Sequence, residues 1–449
     1  MFGYYLRLAL KSFGRNPGIT ALMVIAIALG IAVCVMTLTV YHAMSGNPIW
    51  WKNDRLYAVT MDNWDPEHPL MPNPDLPPPE MTYKDTQFLP ASNIPLRKVV
   101  MYSTLGVISG AGAEPPAQIA TRVTTADFFA MFEAPFLYGH GWSGSADKPP
   151  QPLIVLSRAA NDKLFGGANS VGRTLRWNDH DFRIVGVLND WFPRPRYYDL
   201  NGGSFQIPDD AYIPYGWGSE LELQNKEEND CWRPEKLDNF RDYEASDCVW
   251  QQMWVELPDA ATRERFQSFM DGYWAQQREG GRFPRPKNNR LTDVSQWLRD
   301  NQVVANDNRV LVGLAFAFLS LCLINTVGLL LAKFLNGAAV TGIRRALGAS
   351  RRQVFAQLLI EVGVVSVLGA LLGLALASLG LTAVRHMYAA AHLAAAHLGH
   401  HGGYEELTHF DVVGVVWAVI LAVVATLAAG FYPAWRIGRL SPAVYLKSQ

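Results

Sequence analysis

Residues 342–384 read GIRRALGASRRQVFAQLLIEVGVVSVLGALLGLALASLGLTAV. The stretch opens on Arg344, Arg345, Arg351 and Arg352 with no acid among them, then continues as an apolar run. That run is long enough to cross a hydrocarbon core, which takes about 20 residues as a helix. Three more runs of this kind lie at 18–41, 310–332 and 411–432. The first follows Arg7, Lys11 and Arg15, as a signal-peptide core would. It is too long for one and has no small-x-small cleavage site at its end, so an uncleaved anchor is expected. The fold class expected is an α-helical membrane protein with four transmembrane helices in a one-plus-three arrangement. A large α/β extracytoplasmic domain separates helices one and two.

The segments follow from these runs: a cytoplasmic segment 1–17, helix 18–42, an outside domain 43–308 and helix 309–333. A cytoplasmic loop 334–353, helix 354–384, a short outside loop 385–410, helix 411–433 and a tail 434–449 complete the chain. Charge orients it. Arg7, Lys11 and Arg15 precede the first run, and Arg436, Arg439 and Lys447 follow the last. Lys333, Arg344, Arg345, Arg351 and Arg352 lie between the second and third. None of the three segments holds an acid, and in a four-helix topology all three share one side, the cytoplasmic one. The outside domain holds most of the acids and is net negative. The expected location is the inner membrane, multi-pass, with both termini cytoplasmic. The net charge of −1 argues neither for nor against nucleic acid, and no such partner is expected.

Cys34 and Cys322 sit in apolar runs as small hydrophobes, whereas Cys231 and Cys248 fall in the outside domain, where oxidation is allowed. A Cys231–Cys248 bridge is expected, worth about 3 kcal/mol in the chain-entropy picture. Residues 118–124, 153–156, 181–188 and 252–257 have strand character. Ser157 offers an N-cap for a short helix ending at Gly166-Gly167, and 260–277 is an amphipathic helix. Seven prolines between Pro66 and Pro79 suggest an extended polyproline-like segment. Residues 191–247, irregular and polar, look like an insertion. Twelve of the 14 tryptophans lie in the outside domain, as core filling or as a partner surface.

Catalytic patterns are missing. There is no Gly-Lys dipeptide and hence no Walker A loop, and no HExxH, CxxC or GxSxG. His386, His392, His397, His400 and His401 cluster near the second outside loop, but their Ala/Gly surroundings suit a solvated loop, and no metal is expected.

The segment Gly342-Ile343-Arg344-Arg345-Ala346-Leu347-Gly348-Ala349-Ser350, with Arg351-Arg352 and the Gly-rich helix after it, resembles the cytoplasmic loop and third helix of the MacB/FtsX family of ABC permeases. Thr124-Thr125-Ala126-Asp127-Phe128-Phe129, Tyr138-Gly139-His140, Leu164-Phe165-Gly166, Val171-Gly172-Arg173-Thr174-Leu175 and Ile184-Val185-Gly186-Val187 are similar to its periplasmic core. Pro433-Ala434-Trp435-Arg436 and Leu440-Ser441-Pro442-Ala443 resemble its closing pattern. The resemblance implies a non-catalytic permease without a cofactor of its own. ATP and magnesium would be bound by a separate ABC ATPase, docking on Gly342, Ile343, Arg344, Arg345, Ala346, Leu347, Gly348, Arg351 and Arg352. It also implies a dimer with a second copy or a paralogous permease, contact with membrane lipid and, in the transport reading, a periplasmic adaptor. The second helix, continuing from an outside helix around Ser295 to Asp300, would carry motion outward. Where the family has a glutamate two residues before the motif's first glycine, this chain has Val340, in an uncharged run.

Gly369 and Gly373 form a small-xxx-small pair, which would pack within the subunit or across the dimer. Glu361 is an intramembrane acid and thus a functional candidate. No other span offers it a buried partner at that depth, so capping or interface pairing is expected rather than a proton relay. Two outputs remain open: efflux or extrusion of a substrate, and mechanical control of a cell-wall enzyme without cargo.

Overall fold

The computed structural model describes residues 2–14, 16–109, 116–303, 306–337, 342–345 and 347–393, and, near the C-terminus, 416, 420, 423–424, 426–428, 430–431 and 433–435. Long apolar runs without charges give long helices, because a helix satisfies every backbone group internally. Three among the described residues are long and apolar enough to cross a membrane. Span 1 is residues 17–42 of helix Pro17–Ser45, span 2 residues 309–336 of Asn306–Asn336, and span 3 residues 351–384 of Arg351–Leu393. Most of the expected fourth span lies outside the described residues. Those described there are helical and pack on span 3, with Phe431 edge-on to Phe355 at 5.3 Å between ring centres.

These spans belong to one compact unit (1–43, 305–390 and 404–449), and residues 44–304 with 391–403 make up another. In the first, Phe2–Phe13 is a helix, with Arg7 and Lys11 exposed and Ala9 buried. Helix Arg351–Leu393 runs nine residues past the expected end of span 3. Residues 385–393, expected to open an outside loop, are therefore helical, as their alanines favour. Gly369 and Gly373 face span 1: a Cβ on Gly369 would lie 2.7 Å from Ile27 Cγ2, and one on Gly373 2.8 Å from the Ala28 carbonyl. The small pair serves close helix approach inside the subunit.

In the outside unit, ten strands among the described residues form one sheet. They are β1 (Leu56–Thr60), β2 (Arg97–Ser109), β3 (Ala117–Thr124), β4 (Phe136–Gly139), β5 (Leu153–Leu156), β6 (Thr174–Trp177), β7 (His180–Leu188), β8 (Ala211–Pro214), β9 (Gln252–Glu256) and β10 (Arg290–Asp293). The order is β10-β1-β9-β2-β3-β8-β5-β7-β4, with β6 paired to β2 and β7. β3–β8 and β5–β7 are parallel and the other pairs antiparallel. Both faces are covered, so β1 is buried throughout. Leu56 and Ala58 join a cluster with Trp254 and Trp297, whereas Tyr57 and Val59 pack with Phe266 and Met270 of helix Ala260–Glu279. Asn178 and Asp179, at φ 44° and 64°, make the tight turn joining β6 to β7. Ser157 caps helix Arg158–Phe165 by accepting from the Ala160 N–H, and Gly166 ends it at φ 63°. Trp177, Trp250 and Trp254 are fully buried, which makes them core residues, while Trp50 and Trp51 are exposed.

Three expectations change. The proline segment is no extended rod: it folds through bends and a turn closed by Leu76 N–H on the Asn73 carbonyl. Arg285 and Arg290 hold it by donating to the carbonyls of Pro74 and Asp75. Span 2 does not run on from helix Val294–Asp300. That helix ends at Asn301, and Gln302 takes a left-handed φ of 49°, which breaks the rod. Residues 191–247 are not an insertion, since they supply β8 to the middle of the sheet and Tyr197, Tyr198 and Tyr212 to the core.

Buried charges fasten this segment. Arg122 of β3, fully buried, lies 2.6 Å from Asp199 and 2.6 Å from Asp209. Ser103 donates to Asp209, and Lys226 pairs with it at 3.2 Å. Arg196 reaches Glu227 at 3.2 Å and donates to the carbonyls of Asp199 and Asn201. Burial alone would raise Asp209, but Arg122, Lys226 and Arg196 hold it well below the ordinary carboxylate range. Glu227 goes the other way: burial and then Asp199 push it up to about 7, against the pull of Arg196.

Glu227 thus binds its proton more tightly folded than unfolded. Its contribution to stability is full below about pH 4.5 and is lost as pH rises through about 7. Thermal unfolding of the full chain is expected to show the outside unit losing on the order of 2 kcal/mol between pH 5 and pH 8. Glu227→Gln should flatten that slope. An unchanged slope in the variant would assign the pH dependence to other groups.

Candidate coupling site

The segment joining spans 2 and 3 is built by two helix-end devices. Residues 342–345 are helical, and their end is closed by two backbone bonds, Ala349 N–H to the Arg344 carbonyl at 3.0 Å and Gly348 N–H to the Arg345 carbonyl at 3.1 Å. Gly348 sits at φ 101°, a conformation other residues rarely take, which completes a Schellman stop. Two residues on, Ser350 starts the helix of span 3. Its Oγ accepts from the Gln353 N–H at 3.3 Å, and its own N–H donates to Gln353 Oε1 at 2.9 Å, a reciprocal capping box. The Gly-x-Ser spacing therefore makes a sharp, fixed corner between a short helix and a long one.

The corner orients its side chains. Leu347 is 83% exposed and Ile343 51%, and their four-residue spacing puts both on one side of the segment. Arg344 Nη1 donates to Gln357 Oε1 of span 3 at 2.9 Å, so this guanidinium braces the corner from within. Arg351 and Arg352 are exposed on the first turn of the span 3 helix. Ala346 and residues 338–341, including Val340, lie outside the described residues.

At the base of the segment Lys333 and Glu361 meet at 2.6 Å, only 4% and 3% exposed. This overturns two sequence expectations: Glu361 has a buried partner, and Lys333 is not one of the loop's free cations. Ser12 Oγ donates to Glu361 Oε1 at 2.6 Å, Lys333 donates to Thr20 Oγ1 at 3.1 Å, and the Phe13 ring centre lies 4.7 Å from the ammonium. The two charges stand 28 positions apart on different helices, and the one cue in the sequence was a lysine placed inside the apolar limit of span 2.

In the outside unit Cys231 and Cys248 are joined as a disulfide, with Cα atoms 4.3 Å apart, beside a paired bridge between Asp230 and Val249. The adjacent Asp247 collects Lys84, Arg233 and Arg282. Burial would raise its carboxyl, but Arg282 and Lys84 outweigh burial and hold it below the usual value. Alkylation of unreduced protein is expected to leave both cysteines unmodified. Labelling of both without reductant would refute the bond, and Cys248→Ser should cost about 3 kcal/mol. Among the described residues no group of three or more His, Cys, Asp and Glu is placed to hold a metal. His386 is exposed on the helix of span 3, and His397, His400 and His401 lie outside the described residues.

Residues 20–271 match the MacB-like periplasmic core domain, and residues 312–442 match the FtsX-like permease C-terminal region. Over 335 residues the chain is 24% identical to a macrolide export ATP-binding/permease protein MacB of Wolinella succinogenes, covering 73% of this chain and 43% of that protein. It is 28% identical over 151 residues to an uncharacterized ABC transporter permease protein of Mycobacterium tuberculosis, covering 34% and 16% of the two chains. The chain spans less than half the length of these curated relatives. Among solved structures, the periplasmic region of MacB from Actinobacillus actinomycetemcomitans aligns with a TM-score of 0.35 at 11% identity, over 57% of this chain and 96% of that one. The extracellular domain of the noncanonic ABC-type transporter YknZ from Gram-positive bacteria aligns with a TM-score of 0.33 at 11% identity, over 53% and 100%. With its periplasmic core match spanning more than half of its length and the permease match following in order, the chain belongs to the MacB/FtsX family of ABC transporter permeases.

Proposed function

We propose that this chain is the permease subunit of an ABC system in which a separate ATPase docks on residues 342–352 and drives a conformational change in the outside unit, there to expel or extrude a substrate. The observation that carries the reading is the fixed corner at Gly348–Ser350. It presents Ile343 and Leu347 outward from a segment that lies in sequence between spans 2 and 3 and opens directly into the helix of span 3. Burying an exposed leucine against a partner contributes about 1.5–3 kcal/mol. Two of them on a rigid corner, with arginines alongside, suit a groove on a soluble partner. Nucleotide chemistry is assigned to that partner because these 449 residues contain no phosphate-cradling Gly-Lys loop. ATP and magnesium accordingly belong to the ATPase.

The acid-free basic segments support cytoplasmic termini and a fourth span at 411–433 in the inner membrane. A second permease, identical or paralogous, would complete a dimer, and an adaptor would serve the export reading. The size of the outside unit favours export over control of a cell-wall enzyme, because the family resemblance implies a smaller outside domain in the signalling members. Affinity purification of the tagged full chain from native membranes, read by mass spectrometry, tests the proposal. Co-purification of an ABC ATPase is expected, with an adaptor or second permease for export. A peptidoglycan hydrolase in their place would establish the mechanical alternative, and absence of any ATPase would overturn the subunit assignment.

A further inference from the structure

The Lys333–Glu361 pair lies where a charge is hardest to keep. Both groups are shielded from solvent inside an apolar bundle, and either one alone would be strongly destabilising there. Spans 2 and 3 therefore cannot separate at this level without stranding a charge or admitting water. The position of the pair gives this restraint a mechanical meaning. Lys333 stands in the last turn of the helix Asn306–Asn336, and Glu361 lies in the third turn of the helix Arg351–Leu393. Between them run residues 334–360, with 342–352 among them, so the pair closes the base of a hairpin whose tip is the coupling segment.

A force on the tip of an open hairpin splays its arms, whereas with the base closed the arms move together. A third element is fastened at the same point. Ser12 donates to the same Glu361 oxygen that Lys333 contacts, and the next residue, Phe13, lays its ring over the ammonium. These two residues end the helix Phe2–Phe13. Span 3 also carries Gly369 and Gly373 against Ile27 and Ala28, so its displacement is delivered to span 1 by close packing. That route does not need the unbroken outside helix that Asn301 and Gln302 interrupt.

We propose that Lys333, Glu361 and Ser12 form a clamp that makes the cytoplasmic ends of spans 2 and 3 and the N-terminal helix a single rigid body. All three are positioning residues. The use of the clamp in coupling rests on the docking role assigned above to residues 342–352, but the clamp is a property of this chain alone.

The test uses the full chain in nanodiscs with Cys34 and Cys322 replaced by alanine and nitroxide labels at Leu335→Cys and Val367→Cys, both exposed positions. Pulsed dipolar spectroscopy should give one narrow distance distribution, unchanged when the co-purified ATPase is trapped with ATP and vanadate. Glu361→Gln should broaden it roughly twofold without nucleotide, as an unpaired buried lysine draws in water. The exchanged pair Lys333→Glu with Glu361→Lys should narrow it again. Ser12→Ala keeps the ion pair and is expected to insert normally, and it should broaden only the distance between labels at Tyr4 and Leu335. A wild-type distance that shifts with nucleotide, or a Glu361→Gln distribution as narrow as wild type, overturns the clamp. An unchanged Tyr4–Leu335 distribution in Ser12→Ala removes the N-terminal helix from it and overturns the three-part body. If Glu361→Gln fails to insert, the exchanged pair and Ser12→Ala decide by the same widths. If no ATPase co-purifies, the docking role falls, while the nucleotide-free widths still decide the clamp.

Discussion

Arg122→Met is expected to lower the unfolding midpoint of the outside unit by on the order of 10 °C. Among the described residues the guanidinium is the one cation paired with both Asp199 and Asp209, at 2.6 Å from each, in a site that is wholly buried. Removing one partner of a buried charge network costs about 3–5 kcal/mol, because the remaining carboxylates are left uncompensated. Lys226, 3.2 Å from Asp209, and Arg196, 3.6 Å from Asp199 but already engaged by Glu227, soften the loss without cancelling it. The consequence is also local. Arg122 projects from β3, while Asp199 and Asp209 lie in the chain that leads to β8, so the variant should free residues 196–210 before the rest of the sheet melts. Hydrogen exchange should show that segment losing protection first. Arg122→Lys keeps the charge but not the two-pronged geometry and should fall between the two. A midpoint within 2 °C of wild type would mean that the network contributes nothing net, as buried ion pairs sometimes do.

That network also explains where the sequence was legible and where it was not. Ser157, Gly166 and the residues between them announce a helix by local chemistry alone, and the structure has it there. β7 and helix Ala260–Glu279 show in the local spacing of their apolar residues and β9 in a short apolar run, and the structure has all three there. Residues 191–247 carry no such pattern, and their Arg196, Asp199, Asp209 and Glu227 have the composition of a solvated loop. Each is buried because its partner comes from a distant place in the chain, and no local pattern encodes that pairing. Lys333 and Glu361 repeat the lesson in the membrane. A lysine near a helix end ordinarily snorkels to the headgroups, so its inward turn depends on an acid on another helix. At the coupling corner the reverse holds. Its arginines stood out in the sequence as the family's signature, yet Arg344 is engaged by Gln357, and beside the exposed Arg351 and Arg352 the segment presents an apolar pair, Ile343 and Leu347.

Two double substitutions separate what that corner does. Ile343→Asp with Leu347→Asp removes the exposed apolar pair and leaves every basic residue in place. Arg344→Glu with Arg345→Glu reverses charge and leaves the apolar pair. If the corner docks on an ATPase mainly through Ile343 and Leu347, the first variant should insert normally and retain at least about tenfold less ATPase, since losing roughly 1.4 kcal/mol suffices for that factor. The second should lose less through direct contact, but it also breaks the Arg344–Gln357 brace and should loosen the corner. The competing role for these arginines is topological: each contributes about 1 kcal/mol near an anionic surface and helps hold the loop in the cytoplasm. That role predicts misinsertion or lost expression for the charge-reversed variant and no effect of the aspartates on orientation. Protease accessibility of the loop in sealed vesicles reports the orientation, and pull-down with phosphate release on added ATP reports docking and coupling. Normal insertion of both variants with wild-type ATPase retention and turnover would exclude this corner as the docking site. The basic segment around Arg436 and Arg439, which the charge pattern puts on the same side as this corner, would then be the segment to substitute.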